Sequence, residues 1–194
     1  MRIISGKYKG RRISPPKNLP VRPTTDMSKE ALFNVLRNHF SFDGLKVLDL
    51  FSGTGNISYE FASRGSDNIT CVDGDFGCVK FIKQTATEFD FNIAAVKSDV
   101  LKFIERCNAK YDIIFADPPY AFEQKIFDKI VIDIFDRNLL EDEGMMIIEH
   151  SKYTKLDHLT HFSFKKSYGG SIFSFFEITS NREETVKDNS GEEE

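Results

Sequence analysis

Tryptophan is absent from this chain of 194 residues, cysteine occurs only three times, and no stretch approaches the roughly 18 to 20 consecutive apolar residues that cross a bilayer. A membrane-spanning protein is therefore excluded as a reading of the sequence. Cys71, Cys78 and Cys107 are odd in number, form no C-x-x-C pair and have no histidine nearby, which argues against a disulfide framework and a zinc site alike. They are expected to be packed, reduced thiols. The first residues, MRIISGKYKG, lack the uninterrupted apolar core of a signal peptide, so the expected compartment is the cytoplasm. Two nucleotide-binding signatures are missing as well. No P-loop lysine follows a glycine turn, and the one G-x-G in the first half meets Ser58 where a dinucleotide fingerprint requires a third glycine.

What is present suits one domain with a good core: 40% of residues are hydrophobic, and the length is short for two ordinary domains. The formal charge of -4 conceals a gradient. Residues 1 to 40 hold nine basic side chains (Arg2, Lys7, Lys9, Arg11, Arg12, Lys17, Arg22, Lys29, Arg37) against Asp26 and Glu30, whereas residues 181 to 194 hold two basic and six acidic ones. A basic arm on an acidic body is the layout of a protein that meets a polyanion at one end. The last stretch, NREETVKDNSGEEE, is almost without apolar residues and is expected to be disordered. The chain thus divides into a basic arm and helix (1–40), a central domain (41–180) and an acidic tail (181–194).

Along the central domain, short apolar runs alternate with helical patterns. Thr25 or Asp26 can cap a helix reaching about Asn38. Strands are expected at 46–51, 68–73, 92–99, 111–117 and 144–150, separated by helices, with the helix at 123–136 carrying Ile126, Phe127, Ile130, Val131 and Ile134 at helical spacing. Strands apolar on both faces, alternating with helices, predict an α/β Rossmann-like fold, a mostly parallel sheet of seven strands covered by helices on both faces. The C-terminal HFSFKKSYGGSIFSFFEI reads as an antiparallel hairpin closing the sheet at its edge.

Chemistry gathers at the strand ends. DLFSGTGN places Asp49 and Phe51 at the end of the first strand with Gly53 and Gly55 in the turn, where the backbone can approach a ligand closely. Asp73 ends the second strand and can accept from both ribose hydroxyls of an adenosine, since Asp75 is available to cap the following helix. Asp99 ends the third strand and is equally suited to an adenine amine or to a helix cap. Acidic residues after three strands, with no basic cradle, predict an adenosine ligand without phosphates. S-adenosylmethionine fits, with Asp49 facing its amino group. Asp117-Pro118-Pro119-Tyr120 ends the fourth strand, which such sheets place beside the first. Two prolines fix the backbone and remove two N–H donors, leaving rigid carbonyls. Asp117 and the Pro118 carbonyl can take both hydrogens of an exocyclic amine and aim its lone pair, while Tyr120 stacks on the base.

The arm adds a further likeness. SGKYKGRRI (5–13), RPTTD (22–26) with KEALFNVL (29–36), and KSYGG (166–170) together resemble the RsmD-type 16S ribosomal RNA guanine-N2 methyltransferases, over about Met1 to Ile178. The resemblance implies S-adenosylmethionine-dependent methylation of the exocyclic amine of one guanine in 16S ribosomal RNA, reached within an assembled or assembling 30S subunit. It implies donor binding by Asp49, Phe51, Gly53, Gly55, Asp73, Asp99 and Asp117, and catalysis by Asp117, Pro118 and Tyr120. RNA contact falls to Lys7, Lys9, Arg11, Arg12, Arg22 and Thr24. One departure is Met27, where an arginine commonly follows RPTTD. The residues alone do not choose guanine, so adenine-N6 methylation of RNA or DNA stays open, as does a non-catalytic ribosome-assembly factor that binds RNA. Nothing demands more than a monomer.

Overall fold

The first apolar run becomes a strand because it finds apolar partners on both sides: in β1 (Lys46–Leu50), Val47 and Leu48 point to opposite faces and neither is exposed. The computed structural model describes residues 1–19 and 25–178. Its remaining strands are β2 (Asn68–Asp73), β3 (Ile93–Lys97), β4 (Tyr111–Ala116), β5 (Leu140–His150), β6 (Phe162–Tyr168) and β7 (Ser171–Glu177). They form one sheet in the order β3-β2-β1-β4-β5-β7-β6, parallel from β3 to β5 and antiparallel where the β6–β7 hairpin joins. The order reverses between β1 and β4. That is the crevice in which open α/β sheets bind their ligands.

Helices cover both faces, as the sequence predicts. On one, α1 (Asp26–Leu36), α2 (Asn56–Ser63) and α3 (Phe76–Phe89) bring Phe33, Ile57 and Ile82 against Val47, Ile113 and Ile147. On the other, α4 (Val100–Arg106) and α5 (Gln124–Asp136) set Ile104, Ile130 and Ile134 against Leu48, Ile114 and Met146. The predicted caps are in place. Thr25 Oγ1 accepts from the Ser28 N–H at 3.1 Å and Asp75 from the Cys78 N–H at 2.8 Å. All three cysteines are buried and free.

Several ends differ from expectation by a residue or two, β3 for example spanning Ile93–Lys97 rather than 92–99, and two further boundaries are instructive. Helix α1 stops at Leu36, two residues short of Asn38. Strand β5 begins at Leu140 rather than Gly144, because Leu140 is buried and pairs with Tyr111 across a register shift, while Glu141, Asp142 and Glu143 stay at the surface. Three consecutive acids hid that start from a reading of hydropathy. Among the described residues no helix is long and apolar enough to cross a membrane.

The basic arm folds into the body. Residues 1–13 form a hairpin, with Arg2 and Arg12 bridged antiparallel, whose Ile3 and Ile13 join the core beside Leu32 and Phe33. Gly6 lies so close to the end of α2 that a Cβ there would fall 1.8 Å from the Ser63 carbonyl oxygen, so only glycine fits. A buried ionic cluster fixes the junction. The Glu60 carboxylate, fully enclosed, accepts from the Ile4 and Ser5 N–H groups at 2.8 and 2.9 Å and pairs with Lys29 at 3.2 Å and Arg64 at 2.9 Å. Lys29 also donates to the Arg2 carbonyl at 2.6 Å and to Asn56 Oδ1 at 2.9 Å. It therefore adds nothing to the exposed basic surface to which the sequence count assigned it. Desolvation holds its ammonium below the ordinary lysine range, with Glu60 opposing.

Candidate active site

The glycine turn leaves β1 through backbone that ordinary residues avoid. Phe51, Gly53 and Gly55 all have positive φ, at 58°, 51° and 82°. For Phe51 this is strain, held by the Ser52 N–H bond to the Val72 carbonyl at 3.1 Å and by the edge-on contact of its ring with Phe122. Gly55 caps α2, and a Cβ on it would meet the Tyr59 ring at 2.8 Å. Its absence of a side chain thus serves packing behind the turn. Gly53 faces the other way, onto a cleft of about 630 Å³ lined also by Asp49, Phe51, Asn56, Asp73, Asp99, the turn Asp117–Tyr120 and Phe122.

Three carboxylates project into this cleft from successive strand ends. Asp49 is buried and accepts from Ser58 Oγ at 2.5 Å; burial raises its carboxyl to about 7 against that opposing bond. Ser58, which spoils the dinucleotide fingerprint, thus has a task of its own. The Asp73 carboxylate takes one backbone N–H on each oxygen, from Gly53 and from Asp75, both at 2.8 Å. Each oxygen keeps a second acceptor site, the number that two vicinal hydroxyls need. Burial raises this carboxyl also. Asp99 caps α4, accepting from the Lys102 N–H at 2.9 Å, while it lines the cleft, so the two readings of it coexist.

Across from these acids stands the turn after β4. Ala116 pairs with Leu50, and the Asp117 N–H donates to the Leu50 carbonyl at 3.3 Å, so the turn starts at the level of the glycine turn. The Tyr120 hydroxyl shares a bond of 2.9 Å with Ser171 Oγ and donates to Glu149 Oε1 at 3.2 Å. The ring is fixed at its far end and lines the cleft with its body. Glu149 is 5% exposed, and its second oxygen has no partner among the described residues.

The fold brings together six of the seven residues assigned to donor binding, Gly55 standing behind the turn, and all three assigned to catalysis. Lys7, Lys9, Arg11 and Arg12 are exposed on the arm hairpin. Arg22 and Thr24 lie outside the described residues. Met1 and Pro15, which no spacing singled out, form a wall of the cleft because the hairpin folds over it. Glu149 and Ser171 escaped notice too. An acid directly after the apolar run MMII was the signal available for Glu149.

The family model described as conserved hypothetical protein 95 matches residues 1–177. The chain is 31% identical to the ribosomal RNA small subunit methyltransferase D of Escherichia coli over 150 residues, covering 77% of this chain and 74% of that protein. Among solved structures, a Thermus thermophilus hypothetical protein matches with a TM-score of 0.79 at 24% identity, covering 92% of this chain and 99% of that one. The Thermus thermophilus 16S rRNA N2 methyltransferase RsmC, in complex with AdoMet and guanosine, matches with a TM-score of 0.64 at 19% identity over 82% of this chain and 45% of that one. Both structures share the fold.

Proposed function

The chain belongs to the conserved hypothetical protein 95 family, that of the RsmD methyltransferases, and from that premise we propose that it methylates the exocyclic N2 amine of one guanine in 16S ribosomal RNA. The observation that carries the reading is the facing of two turns across one cleft, the Asp-Pro-Pro-Tyr turn on one side and the acid-lined glycine turn on the other. The methyl donor is S-adenosylmethionine, which supplies a methyl group on a cationic sulfonium that needs no activation by the protein. The donor set suits it. Asp73 has acceptor sites left for two ribose hydroxyls, Asp99 for the adenine amine and Asp49 for the ammonium, and among the described residues no lysine or arginine lines the cleft as a phosphate would require.

On this reading the protein's work is positioning. Asp117 and the Pro118 carbonyl accept the two hydrogens of the amine and turn its lone pair toward the donor side. Tyr120, anchored by Ser171 and Glu149, presents a fixed face to the base. As the nitrogen gains its new carbon, the surplus proton leaves to Asp117 or to water. The exposed Lys7, Lys9, Arg11 and Arg12 meet RNA phosphates, together with Arg22 and Thr24 by likeness to the family. We place the enzyme in the cytoplasm, acting as a monomer on an assembled or assembling 30S subunit.

The test is mass mapping of methylated nucleosides in ribosomal RNA from cells with and without the gene. One N2-methylguanine should disappear from 16S RNA and return with the wild-type gene but not with Asp117→Ala. Loss of N6-methyladenine instead would assign the turn to adenine. Full restoration by Asp117→Ala would leave the assembly-factor reading standing.

A further inference from the structure

The pairing of Ala116 with Ile148 puts Asp117 level with Glu149, so the chain leaving β5 emerges beside the Asp-Pro-Pro-Tyr turn, roughly one strand spacing of 4.8 Å away. This is the side of β4 away from β1 and α2, where the arm packs. The next residues, Ser151 to Lys155, form a pinned loop. The Thr154 N–H donates to the Ser151 carbonyl at 3.2 Å and the Tyr153 N–H to Ser151 Oγ at 3.3 Å. Gln124 grips the loop's end twice, donating to the Lys155 carbonyl at 2.7 Å and accepting from its N–H at 3.0 Å.

What this loop presents is an aromatic ring between two cations. Tyr153 is 80% exposed, and the Lys152 ammonium lies 5.2 Å from its ring centroid. Neither Lys152 nor Lys155 has an ion pair among the described residues, whereas the neighbouring acid Asp157 is taken by Lys165 at 3.1 Å. The acids Glu141, Asp142 and Glu143 sit at the other end of β5. Strand β5 thus carries acids at its start and unpaired positive charge just past its end, beside the rim that carries the acid-lined cleft. A tyrosine so exposed contributes little to the core, yet it costs entropy to hold in a fixed loop.

We propose that Ser151–Lys155 is a second RNA contact, in which Tyr153 stacks on an unpaired base flanking the target nucleotide and Lys152 and Lys155 meet the adjoining phosphates. An exposed π-face with flanking cations suits single-stranded RNA, whose bases are free to stack, better than a duplex. With the arm on one side and this loop on the other, the strand is held at two points about the extruded base. The inference rests on the ribosomal RNA reading above.

The test uses 30S subunits from cells lacking the gene, with the subunit KM for methyl transfer measured at several salt concentrations. Tyr153→Ala should raise KM by about tenfold, within the range of one lost base stack, while the donor Kd stays as in the wild type. Tyr153→Phe should restore the wild-type KM, because the ring is what stacks. Replacing Lys152 and Lys155 together by alanine should flatten the dependence of log KM on log salt by about 1.4, or about 0.7 per single-strand phosphate. Wild-type KM and slope in these variants, under conditions where the triple Lys9/Arg11/Arg12 alanine variant loses both, would overturn the second contact and leave the RNA reading intact. Absence of any transfer by the wild-type enzyme to these subunits would remove the reading and the contact together.

Discussion

Donor binding should depend on pH through Asp49. With its carboxyl raised to about 7 by burial, the free enzyme at pH 6 has this group ionised in only about a tenth of molecules, and at pH 8 in about nine tenths. A cationic ammonium beside it favours the carboxylate, so binding must expel the proton where one is present. The Kd for S-adenosylmethionine should therefore be about tenfold weaker at pH 6 than at pH 8. Proton release per donor bound should fall from about 0.9 to about 0.1 over the same range. Calorimetry in buffers of different ionisation enthalpy reads both quantities at once. Stability runs the other way. An acid whose folded pKa is raised stabilises the fold fully below its unfolded pKa, and that contribution is lost as pH climbs from about 4 to about 7, on the order of 4 kcal/mol in all. Donor-free enzyme should thus lose stability over this window, and saturating donor should reverse the loss. Asp49→Asn should abolish both trends and hold the affinity at its weak, low-pH value. A Kd that is flat between pH 5.5 and 8.5, or that keeps its slope in Asp49→Asn, would refute the assignment of this carboxylate to the ammonium.

Glu60→Ala leaves Lys29 buried without its partner and two arm N–H groups unpaired, which should cost about 3 to 5 kcal/mol and lower Tm by about 10 °C. Lys29→Met combined with Glu60→Leu should recover part of that loss, and a thermal melt in which the double variant is the less stable would contradict a desolvation cost. Gly55→Ala forces a left-handed φ on alanine and drives its Cβ into Tyr59, so the denaturant midpoint should fall by an amount worth about 2 kcal/mol or more. At the Asp-Pro-Pro-Tyr turn, proposed to hold the base, Tyr120→Ala should lower kcat by about 100-fold and Tyr120→Phe by nearer tenfold, since phenylalanine keeps the ring and loses only its tether to Ser171 and Glu149. Equal losses in single-turnover assays would show that the hydroxyl, not the ring, carries the effect.

Most of the sheet was legible because the inner parallel strands β1, β2 and β4 bury residues on both faces and declare themselves as apolar runs, while the edge strand β3, only partly buried, still carries a short apolar run. The start of β5 was not, since Glu141 to Glu143 escape to solvent while Leu140 alone holds the pairing. That Asp49, Asp73 and Asp99 would share one cleft could be read because each lies at or just past a strand end, and strand ends of this topology face one crevice. Gly55 could be placed in the turn but not given its reason, because the side chain it must avoid, Tyr59, shows no mark of that in the order of residues.

By itself, the sequence determined the local chemistry: where strands end, which turns are glycine-permissive or proline-rigid, and that the first forty residues are cationic. These follow from periodicity and backbone sterics, which act over a few residues. Tertiary structure alone decided which of those cations are available. Lys29 is withdrawn into an ionic cluster with Glu60 and Arg64, because burying a charge is tolerable only where a partner from another element meets it. The same packing turned the arm into a wall of the cleft through Met1 and Pro15, and set Glu149 and Ser171 behind Tyr120. Contacts between residues distant in the chain, such as Tyr120 with Glu149 and Ser171, depend on how the layers close, and no local pattern records them.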